Sequence, residues 1–250
     1  MSKSKKINSV NMALEILNSF SVEKPVLGIT ELSKKLEVSK STIHRLITTM
    51  LKQGYIERDI ATQKYKLGLS ILRLAEVINR SNDIRTISLP IMQQLRDQTG
   101  ESVHLNIISY EQLSRVCIAK YESFQGLRHT VEVGEFLPLH RAASGKTLLA
   151  YQNEQFVNTV LEQVENEDRK RKVREDLKQI RAQGYCFSVG ERISGASSIS
   201  APIINNSKKV LAGLTISGPT IRFTPEKTEQ FIDLLKETVA EISRQVGYQT

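Results

Sequence analysis

The sequence predicts an α+β chain in two parts joined by a helix. Three observations lead there. Residues 28–67 read as helix, tight turn, second helix and two short strands. A strongly apolar helix pattern follows. From about Ile84 the pattern runs strands, helices, then strands again, the signature of helices on a mixed or mostly antiparallel sheet. The expected divisions are 1–68, 69–83 and 84–250.

A chain of 250 residues has room for two ordinary domains. The net charge is +8, and its distribution says more than its sum. Residues 1–68 hold 12 Lys+Arg against 6 Asp+Glu, a net of +6; the remaining 23 and 21 leave only +2. The excess sits on the helix-turn-helix, where neutralising phosphates would require it. The blander reading is a solvated basic terminus carrying Lys3, Lys5 and Lys6. Cys117 and Cys186 have no Cys or His at metal-ligand spacing, so neither a zinc site nor a disulfide framework is expected, and no cofactor is implied. No apolar run reaches membrane-spanning length, and the expected location is the cytoplasm.

In the first part, Val10, Leu14 and Leu17 share one helical face, flanked by Ala13 and Phe20, which predicts a supporting helix broken by Pro25 and Gly28. Thr30 can cap a short helix ending at Leu36, with Ile29, Leu32 and Leu36 inward. Glu37-Val38-Ser39 is the turn, Val38 its buried plug, and Ser39 the N-cap of a helix from Lys40 to about Gln53. Ile43, Ile47, Met50 and Leu51 face the core. Lys40, Ser41, Thr42, His44, Arg45 and Thr48 are left outside, short hydrogen-bonding and cationic groups suited to base edges and phosphates of double-stranded DNA. Arg45 is the best candidate for bidentate guanine reading; His44 either reads a base or phosphate or is a plain surface histidine. Gly54 ends the helix. The strands near 55–58 and 64–67 form a wing, with Arg58, Gln63 and Lys64 as its candidate contacts. The competing class is a cytoplasmic sensor or enzyme whose winged helix serves protein contacts.

Leu69, Leu72, Ala75 and Ile78 recur along the connecting helix, with Ile71, Leu74 and Val77 beside them. So apolar a helix needs its own domain or a second subunit to cover it. A two-fold pair of readers matches a palindrome, so a homodimer is expected.

The second part predicts a helix through Ile87, Ile91 and Leu95, strands through Val103–Ile107 and Leu113–Ile118, and a third strand at Val131 and Val133. Helices follow over 144–151, 154–164 and 169–183, strands over 186–189, 198–204 and 210–217, and a closing helix over 225–246. Two segments look chemical. Residues 134–146 open a helix near Ala143 and Ser144, whose free amides suit a carboxylate or phosphate. Residues 184–202 are crowded with serines, and Thr215 and Ser217 follow; these hydroxyls either line a polar pocket or bond to backbone and water. Catalysis finds little support. Ser144-Gly145-Lys146-Thr147 ends like a phosphate loop, but His140 stands where its first glycine belongs. Gly195-Ala-Ser197-Ser-Ile199 lacks the closing glycine of a nucleophile elbow. His104, His129 and His140 connect to no serine, base and acid pattern, and Glu191 stands as a lone carboxylate near the site.

Taken in order, SKSTIHRLITTMLKQGYIERD, the Tyr65–Gly68 junction, PLHRAASGK, GYCFSVGE followed by SISAPI, and LTISGP resemble the IclR family of bacterial transcription regulators over nearly the whole chain. The resemblance implies a winged helix-turn-helix, a linker helix and a GAF-like effector domain, in a non-enzymatic regulator that works as a dimer or a pair of dimers. Many members control catabolic operons for small organic or aromatic acids, as repressors or activators. Carried onto this chain, it implies that amides at Ala143 and Ser144 hold the effector's anion, that Ser188, Ser198, Thr215 and Ser217 supply hydroxyls, and that His129 and Leu137 line the wall. Ser188 replaces an acidic residue of members that bind small keto acids, and His129 is expected to add positive charge.

Overall fold

The computed structural model describes residues 8–80 and 83–247, except 130, 206 and 208. The basic tail with Lys3, Lys5 and Lys6 lies outside the described residues, as do residues 81 and 82 of the expected linker. The chain divides into two units, Met1–Ser81 and Asn82–Thr250.

The first unit orders as α1 (Asn8–Leu17), α2 (Ile29–Leu36), α3 (Lys40–Lys52), β1 (Ile56–Arg58), β2 (Tyr65–Leu67) and α4 (Ser70–Arg80). Ile16, Leu32, Ile43, Ile47, Met50, Ile56 and Tyr65 make its core. One expectation fails: Val10 and Leu14 are each 52% exposed, and α1 instead buries Ile16, with Ala13, Leu17 and Phe20 beside it. α1 is apolar on more than one stripe, so its own periodicity does not choose the inward face. α2 also starts earlier than expected. Glu31 Oε2 accepts the Gly28 amide at 2.7 Å, which makes Gly28 the N-cap in place of Thr30. Glu37 turns the chain at φ 55, and Ser33 Oγ donates to Val38 O at 2.6 Å, fixing Val38 partly buried in the turn.

Two glycines set the base of the wing. Gly54 leaves α3 at φ +71. Gly68 passes so close that a Cβ there would lie 2.2 Å from Gly54 O.

In the second unit α5 (Asp83–Thr99) precedes β3 (Ser102–Ser109), β4 (Ser114–Tyr121) and β5 (Phe136–Pro138). α6 (Ala142–Ala150), α7 (Glu154–Leu161) and α8 (Glu167–Gln183) follow. β6 (Cys186–Val189), β7 (Ala196–Ile204), β8 (Val210–Pro219) and α9 (Pro225–Gly247) close it. The six-stranded sheet has the order β5-β4-β3-β8-β7-β6, and every pairing is antiparallel. The expected strand at Val131 and Val133 does not form; the Val131 amide donates to His104 Nε2 at 3.3 Å instead of joining a ladder, and β5 takes the edge.

Strand alternation sorts the sheet's two faces. Val103, Leu105, Ile199, Ala201, Leu214 and Ile216 pack with α5 and α9. The residues between them, His104, Asn106, Ser198, Ser200, Thr215 and Ser217, point to the face that carries α6. α6, α7 and α8 cover part of that face with a second apolar core, and the polar remainder encloses a cavity. Burial pushes the Cys117 thiol up to about 11 and the Cys186 thiol to about 12, so both are inert free cysteines. Among the described residues no helix is long and apolar enough to cross a membrane.

Candidate functional site

The α3 surface follows from its caps and its period. Ser39 Oγ accepts the Thr42 amide at 3.3 Å and lies 3.0 Å from Ser41 Oγ. Successive residues turn by about 100°, so Ser41, Arg45, Thr48 and Lys52 run along a stripe opposite the buried Ile43, Ile47 and Met50. Lys40, Ser41, His44 and Arg45 are exposed. Thr42 and Thr48 are half-buried, and Thr48 Oγ1 donates back to His44 O at 2.8 Å. Sequence reasoning passed over Thr49 and Lys52, which are exposed on the same surface.

The wing is braced from within. Arg58 Nε donates to Gln63 O at 3.4 Å, and Gln63, at φ 58, donates to Ile60 O at 2.8 Å. Lys64 Nζ pairs with Glu31 Oε2 at 3.0 Å. The backbone amide of Gly28 and then Lys64 hold the Glu31 carboxyl below its ordinary range.

The cavity in the second unit is narrow, with about 30 Å³ open to the centre of a water molecule. β3 contributes His104 and Asn106, β4 contributes Arg115, β6 Ser188, β7 Ser197 and Ser198, and β8 Thr215 and Ser217. His129 and Ser144 also border it, with Glu191 and Arg192 from the loop after β6. Leu137 and Ala143 do not border it: Leu137 sits on β5 opposite Arg115, and the Ala143 side chain packs in the α6 core. Thr215 Oγ1 donates to Ser200 Oγ at 3.0 Å, so that hydroxyl already has a partner.

The hydrogens around Ser217 can be assigned from obligatory donors. The Val131 amide donates to His104 Nε2, and Arg192 Nη2 donates to His129 Nε2 at 2.9 Å. Each neutral ring therefore carries its proton on Nδ1. Those Nδ1 atoms lie 3.3 Å and 3.2 Å from Ser217 Oγ, which accepts from both. Its two lone pairs are used, and its own hydrogen is free for an acceptor in the cavity. Burial, with the charges of His129 and Arg115 adding, takes His104 down to about 3. Burial, then Arg192 and Arg115, takes His129 to about 4. His129 is thus neutral near pH 7, contrary to the positive charge expected of it. The two histidines give protons to Ser217 and do not take its proton, the opposite of an activated nucleophile.

Charge is unevenly distributed around the cavity. At the α6 end, Ala142 adopts φ 59 and its amide donates to Glu191 Oε2 at 3.1 Å. Buried Lys146 Nζ reaches Glu191 Oε1 at 2.5 Å and Asp176 Oδ2 at 2.8 Å. Burial alone would raise the Glu191 carboxyl, but Lys146 and the Ala142 amide hold it low. Glu191 is therefore not the lone carboxylate read from sequence; it occupies the helix end where an anion was expected. Elsewhere in the lining, Arg115 is 3% exposed and donates through Nη1 to Asn106 Oδ1 at 2.8 Å. Burial and then Arg192 lower it to about 10, so it remains a cation at neutral pH. Sequence reasoning missed Asn106 and Arg115 altogether. Among the described residues no group of three His, Cys, Asp or Glu could hold a metal ion.

Residues 9–59 match the IclR helix-turn-helix domain, and residues 76–244 match the bacterial transcriptional regulator IclR C-terminal domain. The chain belongs to the IclR family of DNA-binding transcriptional regulators. It is 33% identical over 250 residues to the HTH-type transcriptional regulator KdgR of Escherichia coli (strain K12), covering 97% of this chain and 94% of that one. The crystal structure of the Thermotoga maritima IclR superposes with a TM-score of 0.78 at 28% identity, covering 97% of this chain and 100% of that one. An IclR homolog from Microbacterium hydrocarbonoxydans, complexed with 4-hydroxybenzoate, shares the fold at 21% identity and a TM-score of 0.80, covering 94% of this chain and 98% of that one.

Proposed function

We propose that this regulator is a cytoplasmic repressor of a catabolic operon, released from its operator by a small organic acid. Two copies of the chain would present two α3 helices to the half-sites of a palindrome. The observation that carries the reading is the pairing, in one polypeptide, of an exposed cationic α3 stripe with a donor-rich cavity. The homodimer is supported by α4, where Leu72, Val77 and Ile78 are 60–66% exposed, with Leu69 just before it 69% exposed, along a helix that needs a partner. The acid is supported by Arg115 in the cavity and by the carboxylate ligand of the Microbacterium homolog. Repression needs nothing beyond occupancy of the promoter, whereas activation requires a further surface for the polymerase.

Arg45 is the proposed base reader, flanked by Lys40, Ser41, Thr42 and His44, with Ser39 and Thr48 shaping the helix around them. Arg58, Gln63 and Lys64 are the proposed wing contacts. In the cavity, Ser144, Ser198 and Ser217 are the proposed ligand hydroxyls, Thr215 and Ser188 support the lining through Ser200 and Glu191, and His129 closes the wall. Ligand shifts DNA affinity only by its differential affinity for two arrangements of the dimer, about 1–3 kcal/mol in typical cases. The test is a fluorescence-anisotropy titration of DNA upstream of the protein's own operon, with and without candidate acids. Tight binding that an acid weakens supports the reading. Identical affinity with and without every acid refutes the coupling.

A further inference from the structure

We propose that Arg115 and Asn106, side by side on β4 and β3, anchor the effector's carboxylate in the cavity. The inference rests on the acid-sensing reading above and gives it an address.

Arg115 is a buried cation, and among the described residues no carboxylate forms an ion pair with it; Glu135, whose charge acts on it, pairs with Arg192 at 3.4 Å. Arg115 Nε and Asn106 Nδ2 are both buried and have no hydrogen-bond partner. They are joined to each other, Nη1 to Oδ1 at 2.8 Å, so the free Nε–H and the free amide hydrogens belong to one rigid unit. Both residues border the cavity. A buried charged donor left unpaired is costly, and such groups persist where something else completes them. A carboxylate completes this one, since it accepts from a guanidinium edge and an amide together.

The first turn of α6 is less suited to an anion. There Glu191 already holds the Ala142 amide and Lys146, and its own charge would repel a second carboxylate. The free hydrogen of Ser217 adds a condition on shape. Ser217 pairs with Ser102, four residues along β3 from Asn106. Four strand residues span roughly 13 Å between Cα atoms. A ligand that satisfies both ends is elongated, with a carboxylate at Arg115 and an oxygen acceptor towards Ser217.

The test uses the purified full-length protein, thermal melting and calorimetric titration. The probes are gluconate and 4-hydroxybenzoate, their neutral counterparts sorbitol and 4-hydroxybenzamide, and the short acid pyruvate. At least one of the two long acids is expected to bind and raise the melting temperature, more than pyruvate does, while the neutral counterparts do not. Arg115→Met removes a buried charge that no carboxylate pairs, at similar volume, but leaves Asn106 Oδ1 without its donor, so the ligand-free variant is expected to melt near the wild-type temperature. Its affinity for the acid is expected to fall at least about tenfold. Arg115→Lys, which keeps the charge, retains part of the binding. If wild type and Arg115→Met bind the acid equally, the anchor is wrong and the acid reading stands. A ligand-free Arg115→Met that melts well below wild type makes Arg115 a structural residue and overturns the anchor. A wild type indifferent to all three acids removes the acid reading, and the anchor with it.

Discussion

Lys64 Nζ stands 3.0 Å from Glu31 Oε2, and this pair latches the wing to the first turn of α2. Glu31 also holds the Gly28 amide that starts α2, so one carboxylate fixes both elements. The pair is half exposed and screened by salt, so it orients more than it stabilises. A phosphate bound by Lys64 must compete with Glu31.

The wing therefore contributes less to DNA affinity than its charge suggests. A free phosphate contact is worth about one unit of salt slope; Lys64→Ala is expected to remove less than that. Glu31→Gln, which frees Lys64 and deletes a negative charge, is expected to tighten binding to all sequences. Anisotropy titrations over a range of salt concentrations check both. A full unit lost in Lys64→Ala with no gain in Glu31→Gln would mean Lys64 already sits on phosphate.

Arg45 lies opposite the buried face of α3. Arg45→Ala is expected to cost about 1–3 kcal/mol at one base position and to relax the preference there. Binding to a set of single-base operator variants measures it. An unchanged preference would mean that α3 docks by another face.

Ser217→Ala with Thr215→Val is expected to abolish the effector response while leaving operator binding intact. Two buried imidazole N–H groups then lose their acceptor, and denaturant unfolding should show a loss on the order of 1–3 kcal/mol. Loss of DNA binding together with the effector response would make these residues plain core.

The two cavity histidines give stability a pH dependence of defined sign. Their folded values, about 3 for His104 and about 4 for His129, lie below the ordinary 6.5. Between these values the unfolded chain binds more protons than the native state, so stability falls as pH drops below 6.5 and is unaffected by these groups above it. Urea unfolding between about pH 5 and pH 8 is expected to show a flat upper range and a decline in the acid range. For the same reason effector affinity should not change between pH 6 and pH 8 on account of His129, and its ring resonances in NMR should be flat there. Resonances of His104 or His129 titrating near the ordinary histidine value would contradict the hydrogen assignment around Ser217.

The helix-turn-helix was legible because its signals are local. Ser39 caps, Gly54 stops, and the core positions Ile43, Ile47 and Met50 repeat at helical spacing. α1 was not, because Val10, Leu14 and Leu17 compete with Ile16 as the inward stripe and only tertiary packing decides. The hydroxyls of β6, β7 and β8 were visible as a cluster, since strand alternation puts them on one face. Arg115 was invisible for the converse reason. A charged residue in the strand SRVCIAKY reads as solvent-facing, and its burial depends on what closes over that face of the sheet. The Val131 alternation misled because it occurs in a loop whose amide serves His104.

The most direct test is operator binding by the full-length protein in the presence and absence of an acid that the calorimeter shows to bind. Acid-bound protein is expected to hold operator DNA about 5–150-fold more weakly than free protein, the range that a coupling of 1–3 kcal/mol gives. An acid that fills the cavity and leaves operator affinity unchanged would contradict the claim that this cleft governs the reader.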